Sequence, residues 1–454
     1  MSTNRLAAEP EGSFLRRLGM AVVLASTSFA SLVSACNDDG TNGNQQDGGI
    51  DGSVQNDAQT NHDGTLSDGT TQDAKDGQDG SMTDGGDGGT GGCHSDPGPG
   101  NKERFIVVSH PFTANGQDSS EYETATLAKD GTVAFTGNQF QMGKSSDARI
   151  VFTPDGKVGI VPQIDGTLGA FTIDESGQVQ VTHAAFSGSF YASSLVMDPT
   201  GDRVYLLDSQ WRNNGGGIYS VRINCDGTLA DEGLVAPAKL AYAMVLLKDQ
   251  SGRAIVYATD ILSSEAGKDA HMLQWQGATP TLLTSAPLFG TDEAIVSSAA
   301  VTDDGTYFLV GDNCGFCTSD NRVGIMAIGS NSLTLVDVLT SIEDPMDIQV
   351  SPYNNAAIVV SGFGNAVFGL AYDPTNQAHP FTNQGEITYN GQSPQLPARS
   401  VMLTRGPLRG TLYLAENMGI RVLRFESNGG VTDVNMISSG SGTDRVVGSI
   451  GVQP

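Results

Sequence analysis

A unit of short apolar segments recurs along the chain from residue 149 onward. Each unit reads as an apolar strand, a tight turn with Gly or Asn, a second apolar strand, a loop, and two further strands joined by a turn. Six such units follow one another, roughly 45–55 residues apart. Their first strand pairs are RIVFTPDGKVGIVPQ from Arg149, SLVMDPTGDRVYLLD from Ser194, MVLLKDQSGRAIVYATD from Met244, SAAVTDDGTYFLVGD from Ser298, DIQVSPYNNAAIVVSG from Asp347 and SVMLTRGPLRGTLYLAE from Ser400. Four antiparallel strands per unit, without helical periodicity, predict the blades of a β-propeller.

The two ends of the repeating region supply a seventh unit. The segment VVGSIGVQP, which ends at Pro454, matches a first strand, and RFIVVSH from Arg104 matches a second strand. YETATLAKDGTVAFTG provides a third and a fourth strand. One C-terminal strand that joins three N-terminal strands would close the ring and remove exposed sheet edges. We therefore expect an all-β fold, a closed seven-bladed β-propeller, over residues 101–454.

The repeat pattern resembles the YVTN-type and lactonase-like seven-bladed propellers. The resemblance rests on second strands that end in an acidic residue or Asn, each followed by a loop and a strand like Ile420–Phe425. These strands are Val204-Tyr205-Leu206-Leu207-Asp208, Val256-Tyr257-Ala258-Thr259-Asp260 and Leu412-Tyr413-Leu414-Ala415-Glu416-Asn417. The resemblance implies a superfamily that includes surface and scaffold proteins as well as lactonases, so it implies a fold but no particular reaction.

Residues 1–35 have the layout of a bacterial lipoprotein signal peptide. Three arginines precede an apolar run over residues 18–33 that is too short and too polar to span a bilayer stably. The run ends in Val33-Ser34-Ala35-Cys36, which resembles the lipobox, whose cysteine is lipidated and becomes the mature N-terminus. The alternative is an ordinary secretory signal that leaves Cys36 as a plain thiol. We expect a lipid anchor on Cys36 that holds the protein in the cell envelope. Asn37 favours the outer membrane, where the protein would face the periplasm or the cell surface.

Residues 36–100 form an Asp/Gly-rich tract that we expect to be a disordered tether. From residue 37 on, it contains 13 Asp and 17 Gly in 64 residues and no aromatic residue, too little apolar surface to offset chain entropy. Its Asp-Gly pairs lack the terminal Glu of an EF-hand loop. The chain carries a net charge of −27, and −16 of this falls on residues 101–454. Nucleic acid is an unsuitable partner because its phosphates are bound by clustered Lys and Arg.

The ends of the second strands are the candidate site. In a propeller these ends are expected to surround the mouth of the central channel. The candidate binding residues are His110, Asp208, Asp260, Asp312 and Glu416, beside Ser109, Pro162, Gln163 and Ser361. Converging carboxylates could coordinate a cation such as Ca²⁺, bind a small polar ligand or attract a cationic one. The alternative is structural, because Asp at a strand end often accepts backbone N–H bonds.

Recognised catalytic motifs are absent from the sequence. It contains no GxSxG, HExxH or phosphate-binding Gly loop in a suitable context. His183, His271 and His379 fall near a fourth strand, a third strand and an outer loop, where packing or solvated roles are favoured. The sequence therefore favours a ligand-binding or protein-interaction module over an enzyme. The alternative is a lactonase-like hydrolase that uses the acidic channel mouth.

Four further cysteines are consistent with an oxidising compartment. Cys314 and Cys317 form a CxxC in a loop, where a loop-pinning disulfide is favoured over a redox pair or half a zinc site. Cys225 lies in a turn between third and fourth strands, on the face opposite the mouth. Cys93 precedes the first domain strand, which begins on that same face, so a Cys93–Cys225 bond is geometrically possible.

The lipid anchor predicts that replacing Cys36 with Ala releases the protein from membranes. Acyl chains on one cysteine bury many methylenes at about 0.8 kcal/mol each, so the wild-type protein should stay membrane-bound in high salt. Fractionation of cells that express each form measures this. A C36A protein that remains equally membrane-bound in high salt contradicts the anchor.

Overall fold

The computed structural model describes most of the repeating region and a short segment before it. The described residues are 93–95, 103–145, 148–163, 167–184, 192–208, 216–239, 242–248, 252–258, 260–261, 270–276, 279–289, 296–312 and 321–454. They belong to one compact unit, Gly91–Pro454. The predicted signal peptide, Cys36, most of the tether, and Cys314 and Cys317 lie outside the described residues.

Within the described part the chain forms 29 strands and one short 3₁₀ helix, Thr443–Arg445. The strands are β1 (Arg104–Phe112), β2 (Asp118–Leu127), β3 (Val133–Gln141), β4 (Val151–Phe152), β5 (Val158–Pro162), β6 (Leu168–Ile173), β7 (Val179–Ala184), β8 (Ala192–Met197), β9 (Arg203–Asp208), β10 (Gly217–Ile223), β11 (Leu229–Lys239), β12 (Ala243–Leu246), β13 (Arg253–Tyr257), β14 (Asp260–Ile261), β15 (Ala270–Gln276), β16 (Thr279–Ala286), β17 (Val296–Val301), β18 (Tyr307–Asp312), β19 (Arg322–Ile328), β20 (Leu333–Thr340), β21 (Pro345–Val350), β22 (Ala356–Ser361), β23 (Ala366–Tyr372), β24 (Phe381–Glu386), β25 (Ser400–Met402), β26 (Thr411–Glu416), β27 (Gly419–Phe425), β28 (Val431–Ser438) and β29 (Ile450–Val452). Among these residues, no helix is long and apolar enough to cross a membrane.

The strands form seven antiparallel sheets, the blades of a propeller. In order from the innermost strand outward, blade 1 is β29-β1-β2-β3, blade 2 is β4 to β7, blade 3 is β8 to β11, blade 4 is β12-β13-β15-β16, blade 5 is β17 to β20, blade 6 is β21 to β24 and blade 7 is β25 to β28. Each innermost strand contacts the innermost strand of the next blade, and β25 contacts β29, which contacts β4. The ring is therefore closed, and the predicted all-β seven-bladed propeller is confirmed.

The last strand of the chain closes the ring, as the sequence predicts. β29 pairs antiparallel with β1, with Ile106 opposite Val452 and Val108 opposite Ile450. The N–H of Ser109 donates to the carbonyl of Ser449 over 2.9 Å, which extends the pairing by one step. Blade 1 thus combines the two ends of the domain, and no blade is left with an unpaired inner edge.

The turns between first and second strands owe their shape to a repeated Asp-Gly pair. In blade 5, Asp304 accepts the Thr306 N–H at 2.9 Å and the Thr302 hydroxyl at 2.6 Å. Gly305 follows with φ of +70°, a left-handed conformation that glycine adopts at little cost. Blade 2 repeats the arrangement with Asp155 and Gly156. These carboxylates therefore have structural partners on the lower face, the face opposite the starts of the innermost strands.

The core lies between the blades rather than inside any one sheet. Second strands such as β5, β18, β22 and β26 are buried at every position because both of their faces pack against neighbouring sheets. The sequences of these strands are consequently continuous apolar runs, without alternation of apolar and polar residues. The Phe171 ring lies over Gly159, where a β-carbon would come within 2.2 Å of it. Close sheet packing therefore requires glycine at this position.

One strand departs from the four-strand pattern. β14 (Asp260–Ile261) lies in the loop after the second strand of blade 4 and pairs with β11, the outermost strand of blade 3. Lys239 lies opposite Asp260 in this pairing. The second strand itself ends at Tyr257. Asp260 therefore does not end the second strand of blade 4, which the sequence had predicted, because the loop crosses to blade 3 and gives that blade a fifth strand.

The predicted Cys93–Cys225 disulfide is present. Cys225 lies in the turn between β10 and β11, so the bond fastens the segment before β1 to the lower face of blade 3. The adjacent His94 is buried, with Nε2 2.8 Å from the carbonyl oxygen of Asn224 and Nδ1 3.3 Å from the Asp155 carboxylate. The segment before β1, which contains Cys93 and His94, is thereby attached to both blade 2 and blade 3.

The disulfide spans 132 residues of sequence, so its loss is expected to matter. A loop of this size restricts the unfolded chain strongly, and removing native disulfides typically costs about 2–4 kcal/mol. We expect the C93A/C225A double variant to lose this amount of unfolding free energy in urea titrations. Wild-type protein titrated in dithiothreitol is the control and should lose a similar amount. An unchanged denaturation midpoint in both samples contradicts the prediction.

Candidate functional site

The central channel contains a cavity of about 400 Å³ bounded by innermost strands. Polar and charged side chains enter it from blades 2 to 7, next to apolar residues that include several of blades 3 and 4. The polar and charged groups are Arg149, Ser194, Lys248, Ser298, Asp347 and Arg399. A mostly apolar concave space with a few convergent polar groups is the usual form of a small-ligand site. We call this space the upper cavity.

Asp347 organises the polar part of the upper cavity. Its fully buried carboxylate accepts bonds from the Ser400 N–H and hydroxyl, both at 2.7 Å, and from the Ser298 hydroxyl at 2.8 Å. A fourth bond comes from Nη2 of Arg149. These partners belong to blades 7, 5 and 2, so one carboxylate joins groups from opposite sides of the channel. This carboxylate therefore holds three blades together at the channel axis.

Arg149 retains binding capacity after it has paired with Asp347. Its Nη2 also approaches the carbonyl of Ile348 at 3.4 Å, whereas its buried Nε has no hydrogen-bond partner within the described structure. The side chain is 33% exposed and lines the cavity. A partly exposed guanidinium that lines a cavity can bind a carboxylate or phosphate through charge-assisted bonds.

Arg399 lies near this guanidinium at the start of β25. It is buried, and its Nη1 donates to the carbonyl of Met346. Lys248 lies at the lower end of the cavity and pairs with Asp303. Three basic side chains and one acidic one therefore line the upper cavity. This local excess of positive charge contrasts with the net −27 of the whole chain.

A second space of about 240 Å³, the lower cavity, lies along the same channel. It is lined by Arg104, Arg149 and Arg405 and by apolar residues such as Phe152 and Val452. Arg149 borders both cavities. No acidic side chain is among the described residues that line the lower cavity, so positive charge extends along much of the channel.

The strand-end residues predicted from the sequence lie elsewhere. His110, Asp208, Asp312 and Glu416 are all buried, and none of them lines either cavity. Within the described residues, no group of three or more His, Cys, Asp or Glu side chains could hold a metal ion. The side chain of Asp260 lies outside the described structure. A calcium site therefore stays a prediction without a geometric counterpart here.

Glu416 takes part in a buried ion cluster beneath the long loop after β24. Nε and Nη2 of Arg421 donate to its two oxygens at 3.0 and 3.1 Å, and Nη1 donates to Asp433 at 2.6 Å. The guanidinium also lies 5.5 Å from the Tyr389 ring centroid. Burial raises the pKa of Glu416, and the bonds to Arg421 lower it only in part. With these partners Glu416 stabilises blade 7.

Asp312 and His110 likewise have partners close by. Asp312 accepts a 2.9 Å bond from Nε of Arg322, and this guanidinium stacks on Phe289. His110 approaches Glu123 at 3.0 Å and the carbonyl of Val446 at 3.2 Å. These contacts involve side chains and a carbonyl, so they differ from the backbone N–H bonds that the structural alternative anticipated for strand ends.

One further carboxyl group, which lines neither cavity, has an unusual pKa. Asp344 precedes β21 and accepts a 2.7 Å bond from the Phe363 N–H. Burial raises its pKa to about 6, and the neighbouring Glu343 adds to this, whereas Phe363 and Arg399 oppose it. Such a group can accept a proton near neutral pH.

The sequence did not lead us to predict Arg149, Asp347 and Arg399 as candidate site residues. A signal for them exists, because each is a charged residue at the start of a first strand, in RIVF, DIQV and RSVM. Reading the first strands for charge, rather than the ends of the second strands, would have found them.

Comparisons with known proteins agree with this fold. No protein-family model and no curated protein matches the chain. A provisional 6-phosphogluconolactonase from Bacteroides uniformis matches with a TM-score of 0.58 at 12% identity, over 77% of this chain and 99% of that one. The two structures share the seven-bladed propeller fold. A second provisional 6-phosphogluconolactonase, from Bacteroides fragilis, matches with a TM-score of 0.58 at 13% identity over 79% and 99% of the two chains. The periplasmic gluconolactonase of Pseudomonas aeruginosa gives 0.54 at 14% identity over 78% and 99%.

Proposed function

We propose that this protein is a lipid-anchored module of the cell envelope that binds a small organic anion in the upper cavity. The observation that carries the proposal is the partly exposed guanidinium of Arg149, which lines a cavity in which basic side chains outnumber acidic ones. A volume of about 400 Å³ falls within the usual range for small-molecule sites. The charge of the cavity favours a carboxylate or phosphate over a cation.

The side chains of the upper cavity are arranged to bind and orient a ligand. Asp347 holds Arg149 in place, and Ser298 supports the same carboxylate, so the guanidinium is ordered before a ligand arrives. A pre-positioned donor loses less entropy on binding than a mobile one. The lipid anchor would then present the site to ligands outside the membrane.

The binding proposal predicts that gluconate and 6-phosphogluconate stabilise the protein, whereas the uncharged polyol sorbitol does not. Isothermal titration calorimetry on Arg149→Lys should show affinity at least tenfold below wild type, because a charge-assisted hydrogen bond is worth about 1.5–3 kcal/mol. Lysine keeps a cation beside Asp347 but removes Nε and the planar fork.

Arg424→Lys is the matched control, because Arg424 is half exposed, pairs with Glu426 and lines neither cavity. This variant should bind like wild type. Equal affinity in R149K and wild type, or the absence of binding by either anion, overturns the proposed site.

The second candidate function is a lactonase-like hydrolase, and Asp344 is the observation that favours it. A carboxylate with a pKa of about 6 is suited to activate water, and Arg399, which acts electrostatically on it, lines the cavity. Three matching structures also carry lactonase names. In this function Arg149 and Arg399 would hold the substrate and stabilise developing negative charge on the carbonyl oxygen.

The hydrolase candidate predicts a defined pH profile for glucono-1,5-lactone hydrolysis. The rate should rise as Asp344 ionises, through pH about 6, and then level off. Asp344→Asn keeps an acceptor for Phe363 and should lose about 10²–10⁴-fold in rate. Glu343→Gln removes a like charge and should move the midpoint to lower pH. Titration of the released acid at constant pH measures the rates of the wild type and of both variants. Full activity in D344N excludes Asp344 as the base.

A further inference from the structure

Arginines from three adjacent blades meet at the lower cavity. Arg104 begins β1 of blade 1, Arg149 precedes β4 of blade 2, and Arg405 follows β25 of blade 7. Blade 1 lies between the other two, because β29 contacts both β25 and β4. Positive charges that line one concave space repel each other, so an anion that enters this space stabilises them.

The residues around the lower cavity supply little negative charge of their own. No acidic side chain lines it among the described residues. Pro454 is part of the lining, so a terminal carboxylate is the most that the chain adds there. The three guanidiniums therefore exceed the negative charge of the lining by at least two. Such an excess attracts anionic ligands.

Arg104 lies on the face of β1 that packs against blade 7. Side chains alternate along a strand, and Ile106 and Val108 on the same face belong to one apolar cluster with Tyr413 of blade 7. Burial raises the pKa of the Tyr413 hydroxyl, and the positive charge of Arg104 opposes this shift. Both observations place the charge of Arg104 between blades 1 and 7, at the cavity that Arg405 also lines.

Arg149 connects the lower cavity with the upper one, because it lines both. Its Nη2 bonds Asp347, which lines the upper cavity but not the lower one. Arg399 also lines the upper cavity only, whereas Arg104 and Arg405 line the lower cavity only. The channel therefore has basic groups at an upper position, at a lower position and at the junction of the two.

Most of the other residues that line the lower cavity are apolar. Phe152, Leu403 and Val452 are among them, and Met197 lines both cavities. Apolar side chains favour contact with methylene groups over hydroxyl groups, because a hydroxyl without a hydrogen-bond partner is costly to bury. A passage with apolar walls and basic groups at both ends suits a molecule with an apolar middle and two anionic ends.

The length of β25 separates the two basic positions along the channel. Ser400 begins this strand and donates to Asp347 in the upper cavity, whereas Arg405 lies beyond the end of the strand. Strand residues rise about 3.3 Å each, so the backbone descends roughly 7 Å from Ser400 to Met402 and further to Arg405. A second anionic group on the same ligand can therefore contact the lower position while the first stays at the upper one.

We propose that the channel binds one linear dicarboxylate, with a carboxylate in each cavity and the methylene chain beside Arg149. This inference rests on the proposed function, because the first carboxylate occupies the anion site of the upper cavity. Arg399 and Arg149 bind that carboxylate, and Arg104 and Arg405 bind the second one. The lower cavity thereby selects for ligands that carry two anionic groups.

Isothermal titration calorimetry on the full chain tests this selection with adipate and suberate against hexanoate and octanoate, which have the same numbers of carbon atoms. Suberate should bind at least about tenfold more tightly than octanoate, because the second carboxylate gains charge-assisted hydrogen bonds. One suberate should bind per protein. Saturating gluconate should weaken suberate binding, because both ligands use Arg149.

Variants of the lower cavity separate its contribution from that of the upper cavity. Arg104→Gln and Arg405→Gln should each reduce suberate affinity at least about threefold and leave gluconate affinity unchanged, because gluconate occupies the upper cavity. Gluconate binding also shows that each variant is folded. Arg424→Gln is the matched control, since Arg424 lines neither cavity, and it should bind suberate like wild type.

The outcomes distinguish a failure of this inference from a failure of the proposed function. If gluconate binds but suberate binds no more tightly than octanoate, the spanning ligand is wrong and the upper anion site stands. Two suberates per protein, or unchanged suberate affinity in both R104Q and R405Q, also overturn the spanning ligand alone. If neither gluconate nor suberate binds to the wild-type protein, the proposed function and this inference both fail.

Discussion

The pairing of β29 with β1 is the interaction on which the rest of the structure depends. The three inter-strand residue pairs around Val107, extended by Ser109 and Ser449, join the two ends of the domain in one sheet. Without β29, blade 1 would lack its innermost strand and β1 would present unpaired backbone groups to the channel. Blades 2 and 7 would also lose the neighbour that their inner strands contact. Closure therefore determines both the stability of the ring and the existence of a channel.

The channel in turn concentrates charges that are distant in sequence. Arg149 and Asp347 are 198 residues apart, yet they bond across the space that the innermost strands enclose. Their positions follow from the ring, because the starts of the innermost strands converge on the axis while the outer strands diverge. An acidic chain can thus contain a basic interior site. Carboxylates that do not line the two cavities are used in turns and ion pairs, as in the Asp304 turn and the Asp312–Arg322 pair.

The predicted ring of acids shows where reasoning from a repeat reaches its limit. Asp208, Asp260, Asp312 and Glu416 occupy equivalent positions when the repeat units are aligned. Residues at equivalent positions need not have the same side-chain partners. Glu416 has Arg421 and Asp433 as neighbours because the loop after β24 covers them. Asp260 was displaced because its loop pairs with the adjacent blade. Both outcomes depend on long loops, which are the parts of the units that do not repeat.

The sequence by itself determined the blade pattern and the closing strand, and it left the Cys93–Cys225 bond as a geometric possibility. Backbone pairing follows apolar periodicity and turn residues, and these are local properties that repeat along the chain. The tertiary structure alone decided which charged groups meet. Arg149, Asp347 and Arg399 come together only when seven sheets close around an axis, and His110 meets Val446 only when the tail returns to β1. Such contacts depend on distances between remote segments, and neither composition nor periodicity encodes those distances.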